Sequence, residues 1–256
     1  CSYQFFVRRM LALREEDDVS EAMEKKDYGE LVHRILAEFH QRFPVVSIAD
    51  DAVLLTALHQ ISERIFLTAP QSDYSARAWH LRWQQLIPAY LAWQREREQQ
   101  GWRWQASEVT CETPLELASG KTVRLRGRVD RIDMRRDESN EVYFAVLDYK
   151  TGSRDGLKKR AANPDEDGQL PFYGIIADPA PSELAYVGVD NDPIAAYAMS
   201  GDAGSIAADH RQRLQQTLSD IAAGKGLPAQ GVDAVCNYCE ARGVCRKRFW
   251  DDGDGS

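Results

Sequence analysis

Hydrophobic positions recur at two different periods along the chain, and the switch between them outlines the architecture. Val32, Ile35, Leu36 and Phe39 return at helical spacing. Helices are predicted over 2–13, 22–43, 50–69 and 73–100, the last two separated by Ala69-Pro70-Gln71-Ser72-Asp73. Trp79, Trp83, Leu86, Tyr90 and Trp93 form a stripe on one helix face, expected to be core rather than a platform for bases. The period then shortens. Strands are predicted over 103–113, 121–133 and 142–150, the last two joined by a polar turn, Arg135-Arg136-Asp137-Glu138-Ser139-Asn140. A helix over 166–177, a strand over 183–190 and a helix over 205–223 follow, and Asp251–Ser256 reads as a disordered tail. There is no internal repeat.

Charge interrupts this pattern where a buried strand should carry none. Gly127-Arg128-Val129-Asp130-Arg131-Ile132-Asp133 ends one strand, and Leu147-Asp148-Tyr149-Lys150-Thr151-Gly152 ends the next. Side chains two apart on a strand share a face, so Asp148 and Lys150 project together, with Asp130 supplied by the neighbouring strand. Two carboxylates and an ammonium at one spot suit metal-assisted attack on a phosphodiester. The carboxylates hold a hard divalent cation, and the lysine orients water or balances charge on the phosphate. A lone Asp-x-Lys is common in solvated turns, so the reading depends on its surroundings. Gly29 and His33 share a face of the first long helix, as Gln169 and Tyr173 do on a later one. A glycine inside a helix costs about 1 kcal/mol of propensity, so Gly29 is expected to mark a close packing contact.

Taken in order, Gly29-x-x-x-His33, the Gly127–Asp133 segment, Asp148-Tyr149-Lys150-Thr151-Gly152 and Gln169-x-x-x-Tyr173 resemble the RecB-like branch of the PD-(D/E)XK nuclease superfamily, over about residues 28–175. The resemblance implies an α/β, restriction-endonuclease-like core, a mixed central sheet flanked by helices. It implies His33, Asp130 and Asp148 as ligands of Mg²⁺ or Mn²⁺, with the Tyr149 carbonyl as a further ligand and Lys150 as the catalytic lysine. Gln169 and Tyr173 become supporting active-site groups. Glu108 occupies roughly the place of an acidic residue carried by relatives on the preceding strand, with Glu112 as a near rival. Residues 44–100 then read as a helical insertion, 101–200 as the catalytic sheet and helix, and 230–250 as a cysteine cluster closing onto Cys1, all within one nuclease domain of residues 1–256.

The cysteines carry a second signal. There are five in 256 residues, an odd number, and the chain shows neither an apolar leader nor a run long enough to cross a membrane. A secreted disulfide framework is not expected, and a cytoplasmic location is. Cys236, Cys239 and Cys245 form a C-x2-C-x5-C cluster, and Cys1 stands at the opposite end. Four thiolates suit an iron–sulfur cluster or a structural Zn²⁺, and spacing alone does not separate them. One N-terminal cysteine plus this cluster around a RecB-like core looks like the iron staple of AddB-type nuclease domains, which implies a [4Fe–4S] cluster held by Cys1, Cys236, Cys239 and Cys245. Such a clamp closes a long loop, worth a few kcal/mol in the chain-entropy account. Cys111, left over mid-strand, is expected to be buried as a small hydrophobe.

The formal net charge of −8 argues against nonspecific nucleic-acid binding over the whole surface but leaves room for a local groove. Basic groups lie at Arg124, Arg126, Arg128 and Arg131, at Lys158-Lys159-Arg160 and at Arg246-Lys247-Arg248; each fits a DNA contact or a solvated face equally. No Gly-rich run ends in Gly-Lys-Ser/Thr, so ATP hydrolysis is not expected here. The resemblance implies a fragment of a longer helicase-like polypeptide, acting with a helicase subunit on single-stranded DNA in recombinational repair, away from membranes. The competing readings are a nuclease fold turned into a DNA-binding or scaffold module, and a zinc-stapled interaction protein.

Overall fold

The computed structural model describes residues 1–13, 24–68, 74–229, 231, 236–237, 239–245 and 247. The chain divides into two compact units, residues 20–215 and a smaller one joining 1–19 to 216–256. The smaller unit opens with a short helix, α1 (Ser2–Phe5).

The larger unit begins with α2 (Lys25–Arg42), whose first turn is closed by the backbone N–H of Glu24 donating to Asp27 Oδ2 at 3.0 Å. Asp50 caps α3 (Asp51–Phe66) by accepting from Ala52 N at 2.8 Å, and α4 (Tyr74–Gln99) follows. Strands β1 (Arg103–Glu116), β2 (Thr122–Arg136), β3 (Val142–Lys150), β4 (Glu183–Gly188) and β5 (Ala195–Ala198) make one sheet in the order β1-β2-β3-β4-β5. β3 and β4 are parallel and the other pairs antiparallel, so the sheet is mixed. The crossover between β3 and β4 carries α5 (Arg154–Ala162), a 3₁₀ turn (Pro164–Glu166) and α6 (Gln169–Ile176); α7 (Ala203–Ala222) runs out of this unit. A mixed sheet flanked by helices is the expected fold class.

The helices between residues 44 and 100 take part in the main core. Leu54, Leu58 and Ile61 of α3 and Trp83, Leu86, Ile87, Tyr90 and Trp93 of α4 join Ile35 and Phe39 of α2 in one buried cluster with Ala145, Leu147 and Tyr149 of β3. The tryptophan stripe therefore packs beneath the sheet. Alternation along β3 sends Asp148 and Lys150 to the opposite face.

Several boundaries differ from the sequence expectation. The first helical segment is α1 followed by a π-helical turn (Phe6–Met10). β2 continues through Arg135 and Arg136, so the turn to β3 is tighter than drawn, with Asp137 Oδ1 accepting from Ser139 N and Glu141 N at 2.9 Å each. The 166–177 helix is shorter, and α5 and β5 had no strong period to announce them. Residues 69–73, part of the 22–43 segment, Arg246, Arg248 and the acidic tail lie outside the described residues.

In the smaller unit, Tyr3 N donates to Pro228 O at 3.3 Å, Tyr3 Oη to Val244 O at 3.2 Å, and Arg8 Nε lies 3.1 Å from Glu240 Oε2. The two ends of the chain are thus tied together by hydrogen bonds and an ion pair.

Candidate active site

The site is built where β2, β3 and α6 meet. Asp130 and Asp148 are both buried. Tyr149 N donates to Asp130 Oδ2 at 3.1 Å, which anchors one carboxylate to the neighbouring strand. Gln169, in the first turn of α6, donates from Nε2 to Asp148 Oδ1 at 2.8 Å and to Tyr173 Oη at 3.0 Å, while its Oε1 accepts from Lys150 Nζ at 2.9 Å. One amide thus joins lysine, carboxylate and phenol, as the i, i+4 spacing of Gln169 and Tyr173 suggested. Lys150 Nζ also forms an ion pair with Asp148 Oδ2.

His33 arrives from α2. Its Nε2 lies 2.9 Å from the Tyr149 carbonyl. A carbonyl only accepts, so Nε2 carries the hydrogen and the lone pair sits on Nδ1. That atom is 3.4 Å from Asp130 Oδ2 and 3.8 Å from Glu108 Oε1. His33, Glu108 and Asp130 each place one ligand atom within 4.8 Å of the others. Of the two rival glutamates, Glu108 belongs to this cluster, whereas Glu112 pairs outward with Arg124 at 2.9 Å. Glu108 adopts φ 55°, a left-handed backbone that a non-glycine residue takes at a cost of order 1 kcal/mol. It lies across from Asp130, between the Ser107↔Arg131 and Val109↔Val129 pairs.

The electrostatics show what the cluster could hold. Burial, and next the charge of Asp130, pushes Asp148 up to about 7; burial pushes Asp130 up to about 6. Burial holds His33 below its ordinary value, so it is neutral near pH 7. Burial pushes Tyr173 up to about 12, which keeps its hydroxyl protonated. Two buried carboxylates therefore resist carrying both charges at once beside a neutral imidazole. A divalent cation would remove that conflict, because it favours both charged forms. The Nδ1 lone pair of His33 and the carboxylates of Glu108 and Asp130 grouped with it form an oxygen-rich donor set that fits a hard cation such as Mg²⁺ or Mn²⁺.

The remaining expectations divide. Arg131, grouped in the sequence with Arg124, Arg126 and Arg128 as a DNA contact or a solvated face, is fully buried. Its Nε lies 2.6 Å from Asp133 Oδ1 and its Nη1 2.9 Å from Tyr149 Oη, so it is a structural cation. Lys158 and Lys159 are exposed, while the Arg160 guanidinium lies 5.5 Å from the centre of the Tyr186 ring. A Cβ on Gly29 would meet the Thr151 hydroxyl at 3.7 Å, ordinary contact, so the packing there does not demand glycine. Cys111 is half-buried rather than buried.

Sequence reading missed the support beneath the lysine. Asp167 Oδ1 accepts from Gln169 N at 2.9 Å, and the buried Tyr186 donates its hydroxyl to Asp167 Oδ2. The Tyr186 ring centre lies 5.8 Å from Lys150 Nζ, within cation–π reach. An aspartate two residues ahead of a helix start was a readable signal; Tyr186 offered none.

The four cysteines expected as cluster ligands all belong to the smaller unit and are free thiols. Cys239 N donates to Cys236 O at 3.3 Å and Cys245 N to Ala241 O at 2.9 Å, placing the three clustered thiols in successive turns. A Cβ on Gly231 would fall 2.5 Å from Cys236 Sγ, so backbone packs directly on that sulfur.

A mixed sheet with two buried carboxylates and a lysine at the end of its parallel strand defines a class of phosphodiester-handling folds. The PD-(D/E)XK nuclease superfamily model matches residues 1–246, and the chain belongs to that superfamily. It is similar to an uncharacterized protein of Rickettsia conorii, 27% identical over 155 residues that make up 59% of this chain and 17% of that protein. Shorter similarities reach ATP-dependent helicase/deoxyribonuclease subunits of Alkaliphilus metalliredigens and of Ruminiclostridium cellulolyticum, 44% and 51% identical over 41 residues, 16% of this chain and 4% of each relative. The chain thus spans under a fifth of these relatives. No helix among the described residues is long and apolar enough to cross a membrane.

Proposed function

We propose that the chain is a Mg²⁺- or Mn²⁺-dependent deoxyribonuclease unit that cuts single-stranded DNA. The observation that carries the reading is the buried Asp130–Asp148 pair, both pushed up by burial and Asp148 further by the charge of Asp130, with Lys150 and the Nδ1 lone pair of His33 facing it. His33 through Nδ1, Glu108, Asp130 and Asp148 would hold the cation, while the Tyr149 carbonyl, expected as a ligand, instead fixes the imidazole by accepting from Nε2. When bound, it lowers the pKa of a water and polarises the phosphate. Lys150 orients the attacking water and offsets charge developing on the phosphoryl oxygens. Gln169 keeps the ammonium and the Asp148 carboxylate at fixed separation, and the Tyr173 hydroxyl, which accepts from Gln169, retains its own hydrogen for an acceptor.

Similarity to helicase/deoxyribonuclease subunits supports a place in a longer polypeptide or beside a helicase that feeds strands to the site during recombinational repair. In the smaller unit, Cys1, Cys236, Cys239 and Cys245 would hold a [4Fe–4S] cluster, with Zn²⁺ as the alternative metal. Protein purified without oxygen should then be brown and carry about four irons, and Cys239→Ser should lose the colour and lower Tm. One zinc and no iron per chain replaces the cluster with a zinc site.

The deciding experiment is cleavage of labelled single- and double-stranded DNA with Mg²⁺ or Mn²⁺, beside Lys150→Ala. Activity that depends on the cation and disappears in the variant is expected. Metal-dependent activity undiminished in Lys150→Ala overturns the assignment.

A further inference from the structure

Beyond the candidate cation ligands, β2 shows a strict alternation. Arg124, Arg126 and Arg128 are exposed, while Leu125 and Val129 are buried and Gly127 sits under α6. Residues two apart on a strand stand about 6.7 Å from one another on one face, a spacing close to that of successive phosphates along an extended nucleic-acid strand. The row ends at the candidate site. The Arg128 guanidinium lies 2.8 Å from Glu108 Oε2, the second oxygen of a carboxylate whose Oε1 faces His33. Arg128 is nevertheless 70% exposed and Arg124 75%, so both heads are open to a ligand. In a chain of net charge −8, three arginines in line against Glu108 and Glu112 leave a local excess of positive charge.

We propose that Arg124, Arg126 and Arg128 form a track that leads a single strand of DNA, phosphate by phosphate, into the Glu108–Asp130–Asp148 site. The inference rests on the nuclease reading for its direction but not for its binding. Arginine suits the task because its planar fork grips phosphate oxygens in pairs. A single strand is the occupant because the carboxylates at the end of the row are buried. A flexible strand can dip a phosphate into such a recess, whereas a duplex is a stiff rod over this length. Glu112 works against the track, since it holds Arg124 at 2.9 Å and faces Arg126 across the β1–β2 register. Glu108 holds Arg128 similarly, and a cation drawing on Glu108 would leave that guanidinium to the phosphate. The outward cross-strand pairs thus keep the arginines ordered until a strand displaces the glutamates.

The track is tested by binding, read apart from cleavage. The anisotropy of a fluorescein-labelled thymidine oligonucleotide is followed in EDTA over a range of salt. Arg124→Ala/Arg126→Ala should bind about tenfold more weakly. Its slope of log K against log salt should shrink by about 1.4, two phosphates at roughly 0.7 each. Lys at both positions should restore most of the slope, and Glu112→Gln should bind more tightly than the parent protein. An unaltered Tm in each variant shows that the fold is kept. A double variant with parental affinity and slope overturns the track, as does a Glu112→Gln protein that binds no better. A duplex of matching length bound more tightly than the single strand, and weakened as much, overturns the choice of occupant. Protein that binds along the track yet cleaves nothing with Mg²⁺ or Mn²⁺ supports the track while removing the nuclease reading.

Discussion

Gly127 of β2 and Ile176 of α6 approach so closely that a Cβ on the glycine would fall 2.7 Å from Ile176 Cδ1 and 3.1 Å from Phe172 Cε1. The contact lies at the far end of the helix that presents Gln169 and Tyr173 to the carboxylates. The glycine of the first strand motif is therefore a seat for α6, with no direct part in the chemistry.

Gly127→Val should overpack this seat and cost about 1–3 kcal/mol, read as a Tm lowered by a few degrees. Cleavage at a temperature where the variant is folded should fall more than the loss of folded protein explains, since α6 must shift and take Gln169 with it. Parental Tm together with parental cleavage would remove Gly127 from this role.

Arg131→Met tests the core behind the site. The buried Arg131 and Arg97 share Asp133, with Arg97 Nη2 also reaching Glu183 at 3.2 Å. Removing one cation from a buried pair costs about 3 kcal/mol, a Tm lower by roughly 10 °C for a chain of this size. DNA affinity at a temperature where the variant is folded should stay at the parental value, because Arg131 faces away from solvent. A variant of parental Tm with weakened DNA binding would restore the outward-facing arginine that sequence alone allowed.

Those two residues show where sequence reading succeeded and where it stopped. Period and charge located the helices, the central strands and the convergence of Asp130, Asp148 and Lys150, because a charge at the end of an apolar strand is a local conflict visible in one dimension. Gln169 and Tyr173 followed from helical spacing. Arg131 was misread because Tyr90 and Tyr149, which accept from its guanidinium, come from other elements, and pairing across elements leaves no mark on local composition. Tyr186 was missed for the same reason: nothing near it announces that Lys150 lies over its ring. Glu108 and Glu112 are told apart by register, Glu108 lying across from Asp130 and Glu112 across from Arg126, which one sequence read alone does not fix.

Asp148→Asn should abolish metal-dependent cleavage and make the metal-free protein more stable at high pH. Both carboxylates keep their proton to higher pH when folded than when unfolded. The stability they contribute is complete below the ordinary carboxylate range, near pH 4, and is lost as pH rises through about 6 to 7. The amide mimics the protonated acid at every pH. In EDTA the variant's Tm should therefore exceed the parent's at pH 8, with the gap closing toward pH 4. Saturating Mg²⁺ should narrow the gap at pH 8, because only the parent binds it well. A gap of equal size at both pH values would show that the carboxylate pair is not under the strain assigned to it.

Lys150→Arg separates two roles for the lysine. Nζ is held between Gln169 Oε1, 2.9 Å away, and the carboxylate of Asp148, with the Tyr186 ring within cation–π reach. If the cation merely offsets charge on the phosphate, arginine keeps part of the rate. If the ammonium orients the attacking water, arginine fails, because its planar head is wider and its donors point along fixed directions. The confined setting favours the second outcome, with single-turnover cleavage lowered at least a hundredfold in both Lys150→Ala and Lys150→Arg. Mn²⁺ affinity should change little, since His33, Glu108, Asp130 and Asp148 remain. The check is cleavage rate against Mn²⁺ concentration. A Lys150→Ala protein that regains the parental rate at higher Mn²⁺ would assign the lysine to cation binding, with no part in placing the water.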